Sequence, residues 1–230
     1  LLAALHHDLE KPILLLTNRA DRALSLFDEL GFWLPEGTNL YFAEPNPSFY
    51  EDLPWSEGTR HDRLRVLTEF SRYWLPGAVT PQSHSVVIAP IRAAMTRTIP
   101  RRDFLKHTLR IRLAEQRDLV ETSANLVRLG YEYSNIVVRP GQFSRRGGIL
   151  DAWSHSSPWP VRIEFFGPEI DTLRLFDPTT QRTTEKLDQT VLFPASEALI
   201  LNQPDEGELP YQPTELQIAE LYRFPSSLID

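Results

Sequence analysis

The stretch RPGQFSRRGGILDAWSHSSPWPVRIEFFGPEIDTLRLFDPTTQR, residues 139–182, carries the densest structural information in the chain. Turn signals fall at Pro140-Gly141, Ser157-Pro158, Gly167-Pro168 and Asp177-Pro178. Proline presets φ at such places, and glycine or a short polar side chain accepts the bend. Between the turns lie short runs of strand character, predicted over 148–153, 161–166 and 172–176. Upstream, 135–138 reads as another strand. Asp118 and Glu121 read as the capping pair of a helix that stops at Gly130. Downstream, 191–193 is expected to close the unit. This is the pattern of a compact, antiparallel α+β unit.

Within this stretch Phe143 is the apolar anchor beside the Arg139-Pro140-Gly141 turn, and Arg145-Arg146-Gly147-Gly148 is a basic corner leading into a strand. Adjacent side chains on an extended chain face opposite ways. One of Arg145 and Arg146 is thus free to pair with Glu164 or Asp171 while the other faces outward. A hairpin held by an internal ion pair and an outward binding surface both fit that corner.

Residues 1–106 have a different rhythm. A buried strand is expected over 13–16, followed by a helix capped by Asn18, with Asp21 in its first turn, Ala20, Ala23, Phe27 and Leu30 on one face, and Gly31 as its stop. A second strand is expected over 39–43. Next comes a helix opened by Thr59 and Asp62, with Leu64, Leu67, Phe70 and Trp74 inward. A third strand follows over 86–89, then a short helix over 90–95. Strand–helix alternation predicts a mostly parallel sheet with helices on its faces, the strands at 13–16 and 86–89 being neighbours. The boundary between this α/β layer and the α+β unit is placed near 105–112.

Composition narrows the chemistry. The 230 residues include no cysteine, which excludes disulfides and thiolate metal sites. The longest apolar run, Ile13-Leu14-Leu15-Leu16, is strand-sized and far short of a membrane span. The amino end lacks a basic leader, so a cytoplasmic location is expected. A chain that opens on Leu1 and has Met95 as its one methionine reads as a segment of a longer protein. The net charge of -7 argues against a general nucleic-acid binder, yet residues 97–117 hold seven basic residues against two acidic ones. That stripe is the competing DNA-binding hypothesis. No phosphate-binding loop is present: Lys11, Lys106 and Lys186 are the only lysines and none follows a glycine. No nucleophile elbow or paired-histidine metal motif occurs either, so no catalytic residue, cofactor or metal is expected in this chain.

Three linked motifs then point to a family. PG-x-FS-x-RGGILD at 140–151, VRIEFFG-x-EID at 161–171 and FDP-x-TQR at 176–182 resemble the second domain of two related bacterial repair families. These are the excision-repair subunit UvrB and the transcription-repair coupling factor, Mfd. GGILD, FDPTTQR and the Leu53-Pro54-Trp55 stretch followed by Arg63-Leu64 are more similar to the coupling factor. The resemblance implies a degenerate, helicase-like (P-loop-type) first domain over 1–106, a UvrA-interacting domain over 107–197, and at 198–230 the start of the returning part of the first domain. It implies recruitment of the damage-recognition protein UvrA through an arginine-rich surface centred on Arg146. Gly147-Gly148 gives that surface room, Arg145 lies on the other face, and Arg139, Arg162 and Phe165 flank it. Ser144 and Tyr133 stand where the family often has further arginines. ATP and Mg, RNA polymerase and double-stranded DNA are implied for downstream parts of such a protein, not for this chain.

Overall fold

The computed structural model describes residues 1–9, 11–45, 55–72, 74 and 84–197. Leu53-Pro54 and the 198–230 segment lie outside the described residues. The chain divides into two compact units, one formed by Leu1–Ile99 and one beginning at Pro100. It is a mixed α/β fold, with three sheets among the described residues.

The first unit contains α1 (Leu2–Leu9), β1 (Ile13–Thr17), α2 (Ala20–Gly31), β2 (Asn39–Tyr41), α3 (Glu57–Arg72), β3 (Val86–Pro90) and α4 (Ile91–Met95). Its sheet is parallel, with order β1-β3-β2. The predicted neighbours pair with Ile13 opposite Val86 and Leu16 opposite Ala89. Ala23 and Leu30 of α2 pack with Val86 and Ile88 of the sheet, joined by Ile13 and Leu15. Asn18 does not cap α2. Arg19 holds the N-cap position with no side-chain bond to the helix, and its guanidinium pairs with Asp21 at 2.9 Å through both Nε and a terminal nitrogen. The third helix starts earlier than its Thr59-Asp62 signal, with the Ser56 hydroxyl accepting from the Thr59 N–H. Leu64 and Leu67 are buried as expected, but Trp74 lies past the end of α3 and is exposed. The sequence pattern missed Arg63, which is fully buried. Its guanidinium lies 4.3 Å from the Phe42 ring centroid and 4.7 Å from that of Trp55, and donates to the Ala43 carbonyl.

The second unit contains α5 (Arg101–Lys106), β4 (Leu109–Arg112), α6 (Leu119–Arg128), β5 (Glu132–Tyr133), β6 (Gln142–Arg146), β7 (Ile149–Ala152), β8 (Val161–Phe166), β9 (Glu169–Phe176), β10 (Thr183–Lys186) and β11 (Gln189–Leu192). Strands β6 to β10 form an antiparallel meander, with β5 added parallel at one edge. Strands β4 and β11 make a separate antiparallel pair. One face of the meander supplies Phe143, Leu150, Ile163, Ile170 and Leu173 to a core shared with Leu126 of α6 and Ile111 and Leu192 of the two-stranded ribbon.

The predicted caps of α6 are present. Asp118 accepts from the Glu121 N–H, and Gly130 takes φ +84° just past the helix end. The strand expected at 135–138 is absent. Pairing stops at Tyr133, and the Val138 and Arg139 N–H groups turn to the Gln142 side chain instead of a ladder. Four strands escaped the sequence pattern, β4, β5, β6 and β10, and three of them are taken up below.

Two stability outcomes follow. Arg63→Ala removes a desolvated cation stacked between two rings, and is expected to destabilise the first unit by about 3 kcal/mol. Gly130→Ala would place a methyl 2.5 Å from the Ser196 Cβ at a positive φ, and is expected to cost about 2 kcal/mol or more in the second unit. Denaturant midpoints checked by native-state hydrogen exchange, which separates the units, measure both.

Candidate protein-docking site

The meander has a second face, opposite the core. Alternation along β6 puts Gln142, Ser144 and Arg146 there. Cross-strand register adds Asp151 opposite Ser144, Ile149 opposite Arg146, and Arg162 opposite Asp151. Glu164 and Thr172 form the next pair toward the hairpin tip, and Arg174 lies opposite Arg162. This face is polar at its centre.

Asp151 organises that centre. Its side chain is 1% exposed and accepts from Arg162 Nε at 2.7 Å and from a terminal nitrogen at 2.8 Å. The bidentate fork satisfies both carboxylate oxygens, and this hydrogen bonding to Asp151 holds the Arg162 guanidinium above the usual arginine range. Arg162 also stacks 4.6 Å over the Phe176 ring and donates to the Gln181 carbonyl. FDPTTQR explains itself here. Phe176 is buried beneath Arg162, and the Asp177 carboxylate caps the Thr179 and Thr180 N–H groups, which hold it below the usual carboxylate range. Gln181 takes φ +60°, presents its carbonyl to Arg162, and ties the turn to the Val137 carbonyl through its amide.

Arg146 stands differently. Its guanidinium reaches Asp151 at 3.4 Å, a long contact to an oxygen Arg162 already occupies, and its side chain is 52% exposed. Its internal partner is therefore Asp151 and not Glu164. Gly147 turns at φ +58° with no heavy atom near the position a Cβ would take. Gly148 does not leave comparable room, since a Cβ there would lie 3.0 Å from the Phe165 carbonyl oxygen.

The remaining sequence-derived residues separate. Arg145, opposite Leu150, projects from the other face of β6, as adjacent strand residues must. Arg162 is mostly buried, with its guanidinium committed inside the unit. Arg139 lies at the far end of β6 from Arg146, about 13 Å away along the strand, and pairs with Glu132 at 2.6 Å. Phe165 packs against the core. The next residue, Phe166, is 82% exposed at the start of the Gly167-Pro168 turn. Strict alternation from Val161 would have found it: Val161, Ile163 and Phe165 face in, and Arg162, Glu164 and Phe166 face out. The tip that carries it is tied down, since the Arg117 N–H donates to the Pro168 carbonyl at 2.7 Å and the Ala114 N–H to Ile170.

The basic stripe is divided among several elements. Arg97 belongs to the first unit, Arg101, Arg102 and Lys106 lie on α5, and Arg110 and Arg112 lie on β4. Arg117 folds back onto Glu115 at 2.6 Å and onto the Arg110 carbonyl. Among the described residues no group of three or more His, Asp or Glu is placed to hold a metal ion, and no helix is long and apolar enough to cross a membrane.

Residues 109–197 match the model of the UvrB interaction domain. The match covers β4 through β11, the unit that presents the Arg146 face. The whole chain is similar to the transcription-repair-coupling factor of Bacillus subtilis, 32% identical over 205 residues, covering 89% of this chain and 16% of that protein. It is similar to the coupling factor of Myxococcus xanthus at 30% identity, covering 88% and 17% respectively. UvrABC system protein B of Mycoplasma mobile is 26% identical over 200 residues, with 29% of its length covered. The chain thus spans about a sixth of the length of these coupling factors.

The geometry of the second unit sets up a paired stability measurement. Arg162→Ala leaves the Asp151 carboxylate buried without its fork and is expected to cost about 3 kcal/mol. Arg146→Ala removes one exposed, long contact and should cost less than about 1 kcal/mol. Melting curves of the two variants distinguish the brace from the exposed cation.

Proposed function

We propose that this chain is a protein-recruitment module of a transcription-repair coupling factor, and that its interaction domain docks the damage-recognition protein UvrA in nucleotide excision repair. The observation that carries the reading is the Arg146 face, found inside a UvrB interaction domain: an exposed guanidinium beside the open Gly147 turn, with the exposed Phe166 ring on the same face. A guanidinium with a planar fork suits a carboxylate on a partner, and an exposed aromatic ring on a fixed hairpin suits an apolar pocket. Arg146 is the central contact and Phe166 its apolar companion, a role that Phe165 cannot take from within the core. Arg162 acts from beneath by fixing Asp151, and Gly147 leaves the approach clear. Arg139 and Arg145 lie outside the central patch.

In this reading 107–197 is the UvrA-interacting domain, 1–106 the first part of a degenerate helicase-like domain, and 198–230 the start of its returning part. The parallel β1-β3-β2 sheet and its helices are compatible with such a layer. ATP and Mg, RNA polymerase and double-stranded DNA belong to downstream parts of a coupling factor, and the cytoplasm is the compartment. A DNA-binding role for 97–117 is less well supported, because those cations are spread over separate elements and Arg117 is spent internally.

The test is titration of UvrA into the purified chain. Arg146→Ala is expected to weaken binding by about 2 kcal/mol or more with an unchanged melting curve, and Phe166→Ala to weaken it by a similar amount. Parental affinity in a folded Arg146→Ala variant would remove Arg146 from the interface.

A further inference from the structure

The polar face does not end at Arg146. Arg174 on β9 lies directly opposite Arg162 on one side and directly opposite Lys186 of β10 on the other. Three cations therefore form one row across β8, β9 and β10. Like charges set side by side across strands repel, so such a row needs anions. Asp151 is already engaged by the Arg162 fork and by Arg146. Among the described residues neither Arg174 nor Lys186 has an ion-pair partner. At the centre of the face Arg146, Arg162, Arg174 and Lys186 stand with Asp151 and Glu164, while at its edges Glu132, beside Gln142, is engaged by Arg139 and Glu169, opposite Phe166, by Gln116.

Two further atoms mark the same place. Arg174 Nε and Thr172 Oγ1 are both closed off from bulk solvent with no hydrogen-bond partner among the described residues. They lie two residues apart on one strand and on one face. Buried polar atoms are nearly always satisfied. An acceptor placed over β9 would meet the outer nitrogens of the Arg174 guanidinium and the Lys186 ammonium on the adjacent strand, while Arg174 Nε and the Thr172 hydroxyl lie beneath them and are reached only if the side chains shift.

We infer that the docking face has a second cationic half, centred on Arg174 and completed by Lys186, that receives a carboxylate from an acidic surface of the partner protein. The inference rests on the docking reading given above and extends it from β6 to β10. Arg146 and Arg174 lie three strands apart, so the two anionic groups of the partner are about 14 Å apart across the strands. The chemistry favours a protein carboxylate over nucleic-acid phosphate. Glu164 projects from the same face between the two arginines, and Phe166 is exposed at its end. A continuous phosphate backbone would be driven against Glu164, whereas a protein surface can set one carboxylate at each arginine and an apolar group over Phe166.

The experiment measures UvrA binding by calorimetry at about 0.05 M and about 0.3 M salt. The chains compared are the parent, Arg174→Gln, Arg174→Lys, the Arg174→Gln/Lys186→Gln pair, and Arg146→Ala as the reference. Duplex DNA is titrated in parallel. Arg174→Gln is expected to weaken UvrA binding about fivefold, and the pair by more, with a shallower dependence on salt. Its melting temperature is expected to hold or rise, since a like-charge contact with Arg162 is removed. Arg174→Lys should recover part of the lost affinity. If Arg174→Gln and the pair bind UvrA as the parent does while Arg146→Ala does not, the second half is overturned and the docking reading stands. If Arg146→Ala also binds as the parent does, the docking reading itself falls, and this inference with it. Loss of DNA binding without loss of UvrA binding would make phosphate the ligand and overturn the inference. So would a lowered melting temperature in both Arg174→Gln and Arg174→Lys with no affinity recovered by the lysine, which would make Arg174 structural.

Discussion

A carboxylate set in the middle of a sheet and almost wholly removed from water is tolerable only because something closes on both its oxygens. In the second unit that is the fork of Arg162 on Asp151. A buried charge left without its counter-ion costs several kcal/mol, so the elements that hold Arg162 in place are as necessary as the pair itself. Phe176 provides the ring beneath the guanidinium, and Gln181 provides the carbonyl beside it. The turn from Asp177 to Arg182 exists in its observed shape to deliver that carbonyl. With Arg162 occupied, Asp151 has only a long contact left for Arg146, and an arginine that would otherwise be locked down stays extended and exposed. Packing, turn chemistry and the exposed cation are therefore consequences of one ion pair.

Much of this was legible in the sequence, and the failures have physical causes. The capping pair Asp118-Glu121, the Gly130 stop and the β1–β3 pairing were readable because caps and apolar strands are local signals. The run at 161–166 was read to its true ends because it alternates strictly, with polar turns on both sides. Strand β6 was missed because Gln142, Ser144 and both arginines carry no apolar alternation; its Gln142 side chain works as a cap for neighbouring backbone N–H groups. Strand β10 is polar at every position, and β4 was read as part of a basic stripe although Leu109 and Ile111 face inward.

The candidate site was legible in place but not in role. Motif and charge pointed to the Arg146 corner. They did not show that Arg162 is a brace, that Arg146 meets Asp151, or that Phe166 and not Phe165 carries the exposed ring. These are facts of facing and register, and they depend on which strand lies beside which. Arg63 is the analogous case in the first unit: a buried guanidinium between two rings reads in sequence as one more charged helical residue.

The β8–β9 register carries an irregularity between Glu164 and Phe165, where Ile170 and Thr172 face consecutive residues of β8 and Asp171 is the extra residue. Strand alternation has a period of two, so the extra residue resets the phase of β9: Ile170 reaches the core at one end, and Leu173 reaches it beyond the reset. A chain that lost Asp171 would set Ile170, Thr172 and Leu173 opposite Phe165, Glu164 and Ile163 in plain alternation, and both faces would keep their residues. Loss of a residue from the regular part of β9 would be absorbed the same way only if Asp171 took up the vacated ladder position. The bulge is therefore a slack residue: over evolutionary time this hairpin can give up a single residue without exchanging the two faces of the sheet.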